Sequence, residues 1–185
     1  MIDQVYETTE RKMRRAVEVL QHDLSALRTG RASPALLEKV QIDAYGTNMP
    51  LNGVASISVP EPRLLVIQPW DKKMLPAIEK AIQKSDLGLT PSSDGSVVRL
   101  NIPPLNEERR RDLVKMVHKR VEEARVAVRN CRRDAVDDLR KAEREQHIPE
   151  DQVKRAQDRL QKLTDEMIKQ VDEVGRRKEG EVMEI

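Results

Sequence analysis

The sequence is short of the residues that most often carry chemistry. It has one cysteine, so no internal disulfide can form, and a reducing compartment suits it. It has no phenylalanine, and its only aromatics are Tyr6, Tyr45 and Trp70. Proteins that hold single strands by stacking need aromatic platforms, so any RNA contact is expected to run through phosphates and shape. No apolar run approaches the roughly 20 residues of a membrane span. The opening MIDQVYETTE is acidic and lacks the apolar core of a signal peptide. The chain is expected to be cytoplasmic, away from any membrane. His22, His118 and His147 stand apart, with no HExxH, no GxxxxGK phosphate loop and no GxGxxG. Neither a metal, a cofactor, a small-molecule substrate nor catalysis is expected.

Charge, by contrast, is dense. With 34 Lys+Arg against 32 Asp+Glu the net is only +2, so distribution has to carry any argument about partners. Residues 107–133 hold ten basic side chains against five acids, whereas 149–185 hold eight against ten. Within this basic region lies ARVAVRNCRRDA, Ala124–Ala135. Read as helix at about 100° per residue, Val121, Ala124, Val128, Cys131 and Ala135 share one apolar stripe. Arg125, Arg129 and Arg132 form a second stripe about a quarter turn away. Asp112, Glu123, Asp134 and Asp137 fall mostly on a third side, with Glu122 the exception. Sorted signs predict a row of guanidinium groups facing an anionic partner, and the choice of arginine suits bidentate phosphate contact. The competing reading is a salt-bridged, solvated surface.

Other polar residues resolve less sharply. Cys131 next to Arg132 has the look of an activated nucleophile, but its seam position suits a small hydrophobe better. His118 projects beside the arginine stripe, either as a further donor or as a solvated histidine. A second basic signal is Arg28-Thr29-Gly30-Arg31-Ala32-Ser33-Pro34, where two arginines flank a helix end. It fits an anion site, and equally a C-cap by Arg28 followed by a polar linker.

Three segments keep the 3–4 spacing of a helix seam. They are Tyr6, Met13, Val17, Leu20, Leu24 and Leu27; then Leu113 through Ala135; then Val153, Ala156, Leu160, Leu163, Met167, Val171 and Val174. Gly30 can close the first, Asn106 can cap the second, and Pro149 fits the first turn of the third. One apolar side per helix means that none is stable alone and that three can close a bundle. Between the first and second, nine of the ten prolines and five of the seven glycines lie at 30–104. Val40–Tyr45, Val54–Val59, Leu64–Gln68 and Val97–Ile102 read as strands, and Leu75–Ser85 as a short helix. The fold class is therefore α+β: a discontinuous bundle over 1–30 and 104–185, with a small domain inserted at 31–103. Gly30, Ala32 and Pro34 on the way out, and Pro103-Pro104 on the way back, predict a restricted hinge at 30–34 and 103–104. A monomer is expected, because the three seams satisfy one another.

The strings LRTGRASPALL (27–37), YGT (45–47), SDLGL (85–89), PPLNEERRRDLVK (103–115) and ARVAVRNCRRDA (124–135) resemble the bacterial ribosome recycling factor family, in the same order and over nearly the whole chain. Asn106 stands where threonine is common and Cys131 where an aliphatic is usual. The resemblance implies an L-shaped molecule, with a long three-helix bundle and a β/α/β domain at its elbow. It also implies binding to the large ribosomal subunit after termination and subunit splitting together with elongation factor G and GTP. The family's ribosomal RNA contacts fall on Arg28, Arg31, Arg129 and Arg132 of this sequence, while Arg125 is added from the helical projection. Two other classes remain compatible with the residues alone: a coiled-coil-like adaptor for protein partners, and a general RNA-annealing protein.

Overall fold

Wherever apolar side chains recur at three- and four-residue intervals, the chain is helical. The computed structural model describes residues 1–27 and 29–184. They divide into two units, one of residues 1–24 with 111–184 and one of 25–27 with 29–110.

The first unit consists of α1 (Ile2–Ser25), most of α3 (Glu107–Gln146) and α4 (Glu150–Met183). Met13, Val17, Leu20 and Leu24 of α1 are buried, as are Leu113, Val117, Val121, Val128 and Leu139 of α3 and Leu160, Leu163, Met167 and Val171 of α4. Each such side chain contributes about 1.5–3 kcal/mol relative to exposure, so the shared seam holds the helices together. At one end Ala135, Leu139, Val153, Ala156 and Leu160 form a cluster covered by Ile2, Val5 and Tyr6. The buried hydroxyls of Thr9 and Thr164 donate to the carbonyls of Val5 and Leu160, each at 2.7 Å, which satisfies them inside the core. Arg159 lies with its guanidinium carbon 3.7 Å from the Tyr6 ring centroid, a cation–π contact.

Helix limits follow local chemistry. Asn106 Oδ1 accepts the Arg109 N–H at 2.7 Å and so caps α3. His147, at φ +52, ends α3 in the left-handed conformation, and Pro149 then precedes α4 as its cap residue rather than sitting in its first turn. On α4 the buried position after Val171 is Gly175, not Val174, which is only half-buried. A methyl group on Gly175 would meet Val121 Cγ2 at 2.5 Å, so glycine permits the close approach of α3 and α4 there.

The second unit carries β1 (Gln41–Ala44), β2 (Thr47–Pro50), β3 (Ala55–Glu61), β4 (Leu64–Pro69), α2 (Leu75–Lys84), β5 (Pro91–Ser93) and β6 (Val98–Asn101). β1 and β2 form an antiparallel hairpin, and the other four strands form an antiparallel sheet in the order β3-β4-β6-β5. Ile42, Leu65, Ile67, Val98 and Leu100 pack against Ile78 and Ile82 of α2 in one core. Four strands and the helix answer to the expected runs; β2 and β5 are additional. The fold is thus helical, with a small β domain. Gly30, at φ +80, sits against Leu105, whose Cγ would lie 3.1 Å from an added Cβ, so the outgoing and returning segments touch inside this unit. Gly30, Ala32, Pro34, Pro103 and Pro104 all belong to it, and the chain changes unit at Leu24–Ser25 and Arg110–Arg111. Among the described residues, no helix is long and apolar enough to cross a membrane.

Candidate nucleic-acid interface

The long unbroken α3 sets out its arginines by helical geometry alone, and each meets different surroundings. Arg125 Nε donates to Asp172 Oδ1 of α4 at 2.8 Å, Nη2 approaches the same oxygen at 2.6 Å, and Nη1 reaches Glu122 at 3.2 Å. Its guanidinium is therefore committed within the bundle. Hydrogen bonding to Asp172 leads in raising its pKa, with burial opposing and Glu122 assisting. Arg129, half exposed, has only Glu122 as an acidic neighbour among the described residues, at 3.9 Å. Arg132 is half-buried and makes no hydrogen bond or ion pair among the described residues. Glu122, the one acid out of line in the helical projection, is thus the shared neighbour of Arg125 and Arg129. Asp172 escaped the projection because it lies 47 residues away on another helix.

His118 Nε2 is 3.2 Å from Glu179 Oε2 on α4, so it pairs across the bundle. Cys131 is half-buried, and burial pushes its thiol pKa up against the opposing pull of Lys12. A raised thiol is a poor nucleophile at neutral pH. Among the described residues no group of three or more His, Cys, Asp or Glu is placed to hold a metal ion.

The other basic signal lies in the second unit. Arg31 is exposed just beyond Gly30, where the Ala32 N–H donates to the Pro62 carbonyl at 2.7 Å and Ser33 caps the turn Pro34–Leu37. Arg28 lies outside the described residues. At the start of α3, Arg110 holds its Nε buried without a hydrogen-bond partner among the described residues. On this geometry, Arg129 and Arg132 keep donors available for an anionic partner, and Arg125 serves the packing of α3 on α4.

Comparison with known proteins adds independent ground. The family model described as ribosome recycling factor matches residues 20–183. Proteins named ribosome-recycling factor from Chloroflexus aggregans and Carboxydothermus hydrogenoformans are each 57% identical over 185 residues, covering the whole of both chains. A solution structure of ribosome recycling factor aligns with a TM-score of 0.81 at 44% identity, covering 100% of this chain and 98% of that one. A second similar structure is a T. thermophilus ribosome recycling factor, described together with E. coli elongation factor G bound to the E. coli post-termination complex. It has a TM-score of 0.70 and 49% identity over the whole of both chains.

Proposed function

Because this chain belongs to the ribosome recycling factor family, we propose that it binds the large subunit of the post-termination ribosome and, with elongation factor G and GTP, separates the subunits. The observation that carries this reading is the similarity over the full length of both chains, which covers the bundle and the inserted domain together. The T. thermophilus relative described with elongation factor G on a post-termination complex supports the choice of partner. GTP hydrolysis belongs to the elongation factor, and this chain supplies binding and leverage without catalysis of its own. Its site of work is then the cytoplasm, as a monomer.

Arg129 and Arg132, with Arg28 and Arg31, take the ribosomal RNA backbone, while Arg125 orients α3 through Asp172. Desolvated guanidinium–phosphate contacts are bidentate and salt-sensitive, so affinity for the large subunit falls steeply as salt rises. The two chain crossings, at Leu24–Ser25 and Arg110–Arg111 rather than at 30–34 and 103–104, let the second unit move when the elongation factor engages.

The test is light scattering of post-termination ribosomes mixed with the protein, elongation factor G and GTP, beside Arg132→Ala. Wild-type splitting with an inactive variant of unchanged melting temperature is the expected result. The salt slope of large-subunit affinity, log K against log salt, should become shallower by roughly 0.7–0.9 in the variant. Absence of splitting by wild type with a matched elongation factor sinks the reading and favours a protein-binding adaptor.

A further inference from the structure

Two of the three aromatic rings in the chain stand in solvent on the second unit: Tyr45 is 77% exposed and Trp70 is 70% exposed. Neither is explained by the core. Tyr45 and Gly46 form a two-residue turn between Ala44 and Thr47, with φ of +54 and +84. This is the pattern of a type I′ hairpin, whose first position favours asparagine, aspartate or glycine and disfavours a bulky L residue. A tyrosine there gains no burial and occupies a conformation that other residues adopt more readily. Its ring is nevertheless anchored, because the hydroxyl donates to Asp71 Oδ2 at 2.6 Å, bringing the ring tip beside the residue that follows Trp70. The Trp70 backbone is itself fixed by donation to the Val54 carbonyl at 3.1 Å.

The surroundings narrow the class of partner. The carboxylate of Asp71 is engaged by the Tyr45 hydroxyl and the Lys73 N–H, and both bonds hold its pKa below the usual carboxylate range. Lys72 and Lys73 are exposed and form no ion pair among the described residues. Among the described residues, the one other exposed large apolar side chain of this unit is Val59 of β3. The Tyr45 hydroxyl on Asp71 therefore brings one exposed ring to the segment that carries the other, Trp70, and the two exposed lysines Lys72 and Lys73. Protein interfaces are depleted of lysine relative to the rest of the surface, whereas unpaired nucleotides are held by flat rings beside positive charge.

We propose that Tyr45 and Trp70, with Lys72 and Lys73, form a stacking site for unpaired RNA bases, separate from the arginine face of α3. The proposal adds base stacking to the contacts through phosphates and shape expected from the sequence. It rests on RNA being the partner, as the function above has it, but the site is testable on the isolated chain.

Trp70 is the sole tryptophan, so the full chain labelled with 5-fluorotryptophan has a single ¹⁹F resonance. It is titrated with decaadenylate, with an abasic ribose-phosphate decamer, and with elongation factor G. The expected result is a saturable shift with decaadenylate and none with the abasic chain. Tyr45→Asn should weaken that binding by roughly tenfold, as loss of one stacked base does. Its melting temperature should be unchanged or higher, since asparagine suits the turn. Tyr45→Phe should keep most of the affinity. Arg132→Ala, which tests the function above in the splitting assay, should leave the resonance shift intact, so the two ideas fail separately. No shift with any RNA, or an equal shift with the abasic chain, overturns the proposal. A shift with elongation factor G alone assigns the face to a protein instead. A lower melting temperature in Tyr45→Asn with unchanged RNA affinity makes Tyr45 a structural brace, which also overturns it.

Discussion

Arg125, Arg129 and Arg132 share a helix face, yet their neighbours give them different work. Arg125 is closed into Asp172 and Glu122, Arg129 has one acid at 3.9 Å, and Arg132 has none among the described residues. Arg125→Ala should therefore act mainly on stability, by about 1 kcal/mol for a partly exposed charge-assisted pair. Denaturant melts would read it as a lower midpoint, with Asp172→Asn giving a similar loss and the double variant little more. A fully additive double variant would show that the pair is not coupled. A second residue-scale effect concerns pH. Asp94 accepts from the Val97 and Ser96 N–H groups at 3.0 Å each and from Arg99 at 2.5 Å, and these hold its pKa at about 2. A carboxylate lowered on folding adds stability above its unfolded value near 4 and loses it as pH falls toward about 2. Thermal melts of Asp94→Asn should accordingly fall less between pH 4 and pH 2 than those of wild type. Parallel curves would contradict this.

At the scale of elements, the long helices were legible because their pattern is local and repeated, and the structure follows it through Met13, Val117 and Leu160. The lapse at Val174 has a plain cause. Hydropathy favours the valine, but packing placed Gly175 where two helices need the least volume. Gly175→Ala sets a helix-propensity gain of about 1 kcal/mol against overpacking that costs 1–3 kcal/mol. We expect net destabilisation, seen as a melting temperature lower by a few degrees, and partial rescue by Val121→Ala. A rise in the single variant would mean that Val121 yields without strain. In the second unit β1, β3, β4 and β6 carry branched runs that announce them, whereas β2 (TNMP) and β5 (PSS) do not. Those two exist because β1 and β6 present unpaired edges to them, which is information held by their partners. The arginine stripe was likewise visible in α3, but its internal partner was not, since Asp172 is distant in sequence.

For the whole molecule, the proposed mechanism needs two units that move as separate bodies when elongation factor G acts. The chain passes between the two units twice, at Leu24–Ser25 and Arg110–Arg111. A chemical cross-link that fixes the two units in one orientation should leave large-subunit affinity within about threefold, a change below 1 kcal/mol. It should abolish splitting, and reduction of the cross-link should restore it. Full splitting by the locked protein would remove motion between units from the mechanism.

The sequence by itself determined the class of this protein: three one-sided helices that must share a seam, a Pro- and Gly-rich insert of short strands, and a surplus of arginine on one helix. These are local patterns, each written within one or two helical turns. Tertiary structure alone decided which arginine is consumed, which glycine lets two helices meet, and that Tyr45 and Trp70 stand exposed on one unit. Such facts depend on side chains brought together from far apart in the chain, where pairing, volume and access to water are settled by neighbours that no local pattern contains.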